Sequence, residues 1–510
     1  MKKSFMSRTS ALALFLLTFC TTFSITFSLP SLAATSSEKI GWTVMPDEQF
    51  RQFLEAYRAN PAFLVENPEV IRQLSGEQLS EAITSLGFDH FTYLWPVVKT
   101  VKDMPQLKGK PIDELSIMTI RNNKLVPIPF QIDEMDEEGW VYINDNPIYD
   151  LKGTAGLFDE SDELLFMYRD TGTEQYKPEV HLIESGAVIS EFVFSDKNGI
   201  NRYAYIVEGS DQRSTADYVR FDMETNTGDT TFYTFQTKKD NILEFTDFKA
   251  KVGDRQDQKV LDALIVNIAT NVFSKWSPRI ELNNFNNLKA APFATKDGPI
   301  RAVTTLKLWV VIAKIPVFRI VAQLGMWDQG LGIPIRLELP GGEILTQMLI
   351  DPNIDFVLDF HQMTGARINT ALAQGPGQHG VVDGKLGDFE KNAQISLNDN
   401  WMWLESGHGW DVMFTFNSPP DLDVGLSFFY EDDPKSQNKY ETDPGAFPRM
   451  GYRIDRLPKD KLKIDVDVTF WFPDTVGSAG AGAFYADMSR PPLVAVNPLD
   501  RKTTSIASTD

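Results

Sequence analysis

Cysteine is nearly missing from this chain of 510 residues, Cys20 being the only one. It sits inside an apolar N-terminal run, so a chain that loses that run holds no thiol. Thiolate catalysis, Fe–S clusters, cysteine-based zinc sites and disulfides are then excluded. Histidine is scarce as well, with five, and no two stand at the His-x-x-x-His spacing of a helical metal site. Positive charge is short: 49 Lys and Arg face 70 Asp and Glu, for a net charge of −21. That balance opposes nucleic acid and anionic lipid head groups, both of which need a positive patch, and no nucleic-acid partner is expected. Long apolar runs are also lacking beyond the N-terminus. Leu306–Trp327 is interrupted by Lys307, Lys314, Pro316 and Arg319, so it reads as two buried strands joined near Lys314–Pro316 and no later transmembrane segment is expected.

What is present at the N-terminus is an address. Lys2, Lys3 and Arg8 precede an apolar run, Ala11 to Leu29, which ends in Ser31-Leu32-Ala33. A basic start, an apolar middle and a small-x-small ending make residues 1–33 a secretory signal peptide, cut after Ala33. An uncleaved anchor is the rival, opposed by the cleavage site; a lipoprotein signal at Cys20 is opposed by bulky Phe19 before it. The expected location is periplasmic or extracellular. An exported chain without disulfides must draw its stability from core burial or bound ions, and this one is long enough to bury a large core.

Residues 34–89 read as a helical segment. Phe50, Phe53, Leu54 and Tyr57 recur at helical spacing, with Asp47 and Glu48 in the first turn. A short helix follows over Pro68–Leu74. Ser75-Gly76-Glu77-Gln78 then forms a capping box ahead of the stripe Leu79, Ala82, Ile83 and Leu86, with Gly87 as the stop. From Phe91 the period becomes two. Lys461–Phe472 is the clearest case, with Leu462, Ile464, Val466 and Val468 alternating with charged residues. Lys259–Val272 fits either a helix or two strands. Many strands joined by polar turns, with no βαβ rhythm, give a mainly β fold: one large or two stacked antiparallel β-sandwich units under a short N-terminal helical cap. A composition shift near Lys238–Asp257 divides it into units at 90–245 and 246–490, and 491–510 reads as a flexible tail.

The stretch that organises the chain is Val126–Gly172. It alternates apolar runs with three acidic, turn-rich patches. "PFQIDE", an acidic glycine turn and then "DELLFMYRDTG" resemble a pattern in secreted bacterial β-sandwich proteins of mostly unassigned function. A looser version, Pro-x-Gln-x-Asp followed by Asp-Glu-Leu-x-Phe, is similar to β-proteins of polysaccharide-degrading systems. The resemblance covers about a tenth of the chain and implies a fold, with no catalytic residue. In the same stretch Asp133, Asp136, Asp159, Asp162 and Asp170 lie on turns that one sheet edge could gather into an oxygen-rich calcium site; the alternative is ordinary solvated turns.

Three histidines lie in the C-terminal part. His379 and His408 are flanked by glycines that let backbone approach a ligand, and are the candidate proton-transfer residues. His361 is the third, and His90 and His181 read as structural. Trp401, Trp403 and Trp410 beside His408, with Arg367, offer the rings and polar groups of a sugar cleft, although Trp401 and Trp403 at i, i+2 would share one face and equally suit the core. Two function classes follow. One is a binding or envelope-associated protein with calcium in its acidic turns, its partner a polysaccharide or an envelope protein. The other is a carbohydrate-active enzyme, a polysaccharide lyase or glycoside hydrolase.

Overall fold

The computed structural model of the chain describes residues 44–59, 68–144, 150–312, 315–338, 348–373, 378–433, 447–457, 463–477 and 480–499. The expected leader, 1–33, lies outside them. Among the described residues the strands form four antiparallel sheets, two of nine strands, one of five and one of three. The chain is mainly β, and Thr43–Asp510 is one compact unit. No helix among the described residues is long and apolar enough to cross a membrane.

The helical segment forms where its periodicity places it. Helix Asp47–Ala59 buries Phe50, Phe53, Leu54 and Tyr57. Helix Gly76–Ser85 starts on the capping box, the Ser75 hydroxyl accepting from the Gln78 N–H while the Gln78 side chain accepts from the Ser75 N–H. A further short helix, His90–Leu94, is capped by Asp89. These helices share one continuous core with the β body.

The large sandwich is built from the two nine-stranded sheets. The first centres on Leu261–Val272, which pairs with Asn241–Ala250 on one side and Leu349–Phe360 on the other. The ambiguous Lys259–Val272 segment is thus one strand, its β-branched residues filling the sheet. The second runs through Arg301–Ile312, Ile315–Trp327, Gly330–Glu338, Lys463–Trp471 and Asp411–Asn417. Its inward residues, such as Leu306, Leu324, Ile333 and Val468, are buried in the shared core. The five- and three-stranded sheets, drawn mainly from Pro96–Glu208, form the smaller sandwich, where Phe166 packs on Phe192 and Phe194.

Two expected boundaries move. Position 245 falls inside the strand Asn241–Ala250, because the polar composition around it belongs to a hairpin turn and a loop within one sheet. The smaller sandwich instead ends after Glu208, before the strand Val219–Asp222 opens the first large sheet. The expected tail also contributes structure: Leu493–Pro498 pairs along its length with Ala187–Ser195 as the edge of the five-stranded sheet.

A buried charge ties cap to body. Arg169, in the turn after Glu163–Met167, donates to the Tyr93 carbonyl at 3.2 Å and bonds the Asp328 carboxylate, both side chains being sealed from solvent. The other Asp328 oxygen accepts from the Thr231 N–H at 3.0 Å, and Tyr57 donates to Tyr93 at 2.9 Å. Removing one partner of such a pair strands the other charge. Asp328→Ala is expected to cost about 3–5 kcal/mol in a urea titration, whereas Lys108→Ala, which removes an exposed pair with Glu160, leaves the midpoint where it is.

Candidate functional site

The motif stretch builds a joint, and the joint builds a cleft. Gln131 and Asp133 alternate with the core residues Phe130 and Ile132 and share the other, equally buried face of the strand Phe130–Asp133. The Gln131 side-chain carbonyl accepts from the Ile300 and Arg301 N–H groups at 2.9 and 2.8 Å, and its amide donates to the Asp133 carboxylate. Asp133, fully buried, receives Arg301 at 2.6 Å and Lys296 at 3.0 Å. Burial opposes its charge, but Arg301 and Lys296 outweigh that and hold its carboxyl below the usual range. Arg301 also reaches Glu163 at 2.8 Å.

This clasp sets the acidic turn Met135–Val141 against the outer face of the second large sheet. Asp136 closes the turn, accepting from the Glu138 and Trp140 N–H groups at 2.9 and 2.7 Å. Gln323 holds its far end by exchanging two hydrogen bonds with the Val141 backbone, at 3.1 and 2.8 Å. Between turn and sheet lies a cleft of ≈ 340 Å³.

The cleft floor is aromatic. Trp327 and Trp471 flank Gly330 on the strands to either side of it, with ring centroids 6.3 Å apart and planes 22° from parallel. Trp327 lies flat over Gly332, where a Cβ would come within 2.5 Å of two ring carbons. Only glycine permits that close approach. Trp140 forms the wall, with the Arg336 guanidinium 5.9 Å from its ring centre. Asn417 and Thr469 add hydrogen-bonding groups. The charges on the lining are paired off: Arg301 with Asp133 and Glu163, Arg336 with Asp465 and Asp467, both at 2.9 Å.

The residues expected from sequence fall elsewhere, apart from Asp133 and Asp136 in the joint and wall. Trp401 and Trp403 are buried beneath helices His90–Leu94 and Ala481–Met488, with Phe484 5.5 Å from Trp403. Trp410 is in the main core. None offers a ring face to a ligand, Trp401 and Trp403 because the helices cover them and Trp410 because the main core encloses it. His408 faces Asp254 at 2.9 Å, and burial pulls its imidazole below the ordinary value. His379 is half-buried just before the edge strand Gly380–Val381, and Arg367 is exposed, 3.9 Å from Glu405. The five aspartates do not converge. Asp159 and Asp162 close a turn, the Asp159 N–H donating to Asp162 at 2.7 Å. Asp170 accepts from the Tyr218 hydroxyl at 2.6 Å, and burial pushes its carboxyl up to about 6. Among the described residues no three His, Cys, Asp or Glu side chains are placed to hold a metal ion.

Sequence reading missed Trp140, Trp327, Trp471 and Gly332. The signal was present in the alternation: Gln323, Gly325 and Trp327 interleave with the core residues Leu324 and Met326, which puts glycine and tryptophan together on the outward face.

A second acidic pocket lies under helix His90–Leu94. Asp411, buried, accepts the Val476 and Gly477 N–H groups at 2.9 and 2.7 Å. Burial pushes its carboxyl up to about 7, with the charges of Glu405 and Asp474 adding to the effect. His90 meets Asp474 at 2.7 Å. Burial pulls its imidazole down, but the bond and charge of Asp474 outweigh this and leave it above the ordinary value.

The chain matches no known family and no curated protein. Among solved structures it is similar to an α-mannosidase from Enterococcus faecalis V583, at 10% identity and a TM-score of 0.40, over 84% of this chain and 49% of that one. A putative mutarotase from Salmonella typhimurium gives 8% identity and a TM-score of 0.27, over 49% of this chain and 90% of that one. The chain therefore spans about half the length of the mannosidase.

The pocket under His90 predicts a pH dependence. Below about pH 4 the Asp411 carboxyl is protonated folded or unfolded; between about 4 and 7 only the unfolded chain ionises, so stability falls as pH rises. His90, raised, acts in the same direction, its contribution being lost as pH rises through its folded pKa. Asp411→Asn keeps an oxygen for both N–H groups. In thermal melts across this range the variant is expected to gain on the wild type as pH rises, reaching a constant advantage above about pH 7.

Proposed function

We propose that the cleft is a saccharide site and that the protein is a carbohydrate-binding β-sandwich protein of the cell envelope. The observation that carries this reading is the floor of Trp327 and Trp471, laid flat on glycine and ringed by amide and hydroxyl groups. Aromatic faces cover the apolar faces of sugar rings, and amides and hydroxyls bond the sugar's own hydroxyls. Because the guanidinium groups are matched by carboxylates in and beneath the cleft, a neutral glycan suits it better than an anionic one.

Binding without hydrolysis is the reading the lining favours. A glycosidase needs one carboxyl that donates a proton and a second that acts as base or nucleophile. The two carboxylates on the lining, Glu163 and Asp467, each already bond an arginine.

Affinity electrophoresis and calorimetry against neutral glucans, mannans and xylans, with alginate and pectate as anionic controls, test the proposal. Trp327→Ala and Trp471→Ala are each expected to weaken binding to the neutral glycan about tenfold or more. Trp403→Ala, at a sealed position, lowers the melting temperature and leaves the affinity of the folded protein unchanged. Absence of wild-type binding to every neutral glycan would defeat the reading. Release of reducing ends by the wild type would replace it with a hydrolytic one.

A further inference from the structure

We propose that the end of the large sandwich bearing the loop Phe273–Arg279 docks on a phospholipid bilayer. The loop joins the strands Leu261–Val272 and Ile280–Asn283. It exposes the two most solvent-accessible aromatic side chains among the described residues, Phe273 at 74% and Trp276 at 86%. Lone exposed apolar residues are ordinary, but two large aromatics on one projecting loop are an interaction surface.

The loop is braced in this form. Phe273 has φ +64, a conformation that a bulky side chain adopts only under constraint. Its N–H donates to the Met348 carbonyl at 2.8 Å. The Ser277 hydroxyl accepts from the Val272 N–H at 3.1 Å and donates to the Ser274 carbonyl at 2.7 Å, while Asn271 donates to the Ser277 carbonyl at 2.7 Å. The backbone is thereby fixed and the two rings are left outside.

Charge selects the occupant. In a chain of net charge −21 this loop carries Lys275 and Arg279, both exposed, with the Lys275 ammonium 5.5 Å from the Trp276 ring centre. Glu281 and Asp351 are the acidic neighbours, and the Asp351 carbonyl accepts from Arg279 at 2.9 Å. Aromatic rings at head-group depth with flanking cations are the composition of a bilayer-interface anchor. The chain-wide charge opposes an anionic surface, but the segment Phe273–Arg279 itself holds two cations and no acidic residue.

Position agrees with the cleft remaining open. The two large sheets are tied at one end, where Tyr233 donates to the Trp327 and Gly330 carbonyls and Phe248 packs 5.8 Å from Phe472. From that end Leu261–Val272 and Arg301–Ile312 run out in the same direction, the first to the aromatic loop. The second sheet adds Trp309 opposite Lys289 toward the same end. Trp327 lies at the tied end, so a docked molecule would keep the Trp327 end of the cleft remote from the bilayer.

The test is vesicle co-sedimentation of the chain from residue 34, which keeps every described residue. Vesicles are phosphatidylethanolamine with phosphatidylglycerol, or phosphatidylcholine alone. The wild type is expected to partition onto both, more strongly onto the anionic mixture. Phe273→Ser/Trp276→Ser should lower partitioning about tenfold on both. Lys275→Gln/Arg279→Gln should lower it on the anionic vesicles only. Arg279 also bonds the Ala269 carbonyl and the Asn271 side chain, so each variant's melting temperature is measured, and Lys275→Gln alone, expected to lower partitioning on the anionic vesicles only, reads the charge where the double variant melts lower. Wild-type protein that stays in the supernatant with both vesicles, or an aromatic double variant that sediments as the wild type does, overturns the proposal; the former would assign the loop to a protein partner. Glycan binding is read separately by Trp327→Ala, so failure here leaves the saccharide site standing.

Discussion

The pairing of Asp133 with Arg301 is the constraint on which the arrangement of the two sandwiches depends. A carboxylate with no solvent exposure is tolerable only when its charge is answered at contact distance. Arg301 and Lys296 answer it from the second large sheet, and Gln131 reads the backbone at Ile300 and Arg301 from the same strand as Asp133. Gly298 leaves room for this, since a Cβ there would stand 2.5 Å from the Gln131 oxygen. The smaller sandwich therefore has one place to sit, and the turn that carries Trp140 inherits its position from that joint. Cleft width follows from the clasp.

The same device recurs through a chain whose described residues hold no disulfide. Arg449 and Asp359 stand directly opposite on neighbouring strands and are both buried, and Arg453 and Asp355 repeat the pairing further along the same ladder. Arg336 and Asp465 do so in the second sheet. A one-residue slip in any of these ladders would send each charge to the opposite face. Such pairs add little net stability over well-packed apolar residues. Their effect is to penalise wrong registers, which long strands rich in apolar residues would otherwise tolerate.

Much of the architecture was legible because period and punctuation agree locally. The capping box at Ser75 and the alternation of Lys461–Phe472 needed no tertiary information. Gly87, at φ +76, follows the end of the helix Gly76–Ser85 as its position suggests. Where reading from sequence fell short, the deciding fact was non-local. Trp401 and Trp403 carry the composition of a ligand platform, yet Ala481–Met488, far downstream, and His90–Leu94, far upstream, close over them. Clustered aspartates look alike whether they cap turns, as Asp136 and Asp162 do, or neutralise a distant arginine, as Asp133 does. Histidine scarcity drew attention to His379 and His408, while His90, set aside as structural, and His361 are the ones that meet buried carboxylates, Asp474 and Asp262.

This bears on what the motif in Val126–Gly172 means. Its polar residues join one part of the chain to another. Gln131 and Asp133 hold the Ile300–Arg301 backbone and side chain, Glu163 shares Arg301, Arg169 takes Asp328, and Asp170 takes Tyr218. Gly172 exchanges backbone bonds with Tyr203, in a space where a Cβ would stand 2.5 Å from the Thr119 hydroxyl. The stretch thus specifies how two sandwiches meet and where a wall stands. The groups facing the space behind that wall, Trp327, Trp471, Gly332 and Asn417, come from strands outside it. The motif's polar residues thus fix an architecture, while the side chains that line the cleft floor belong to the sheet it clasps.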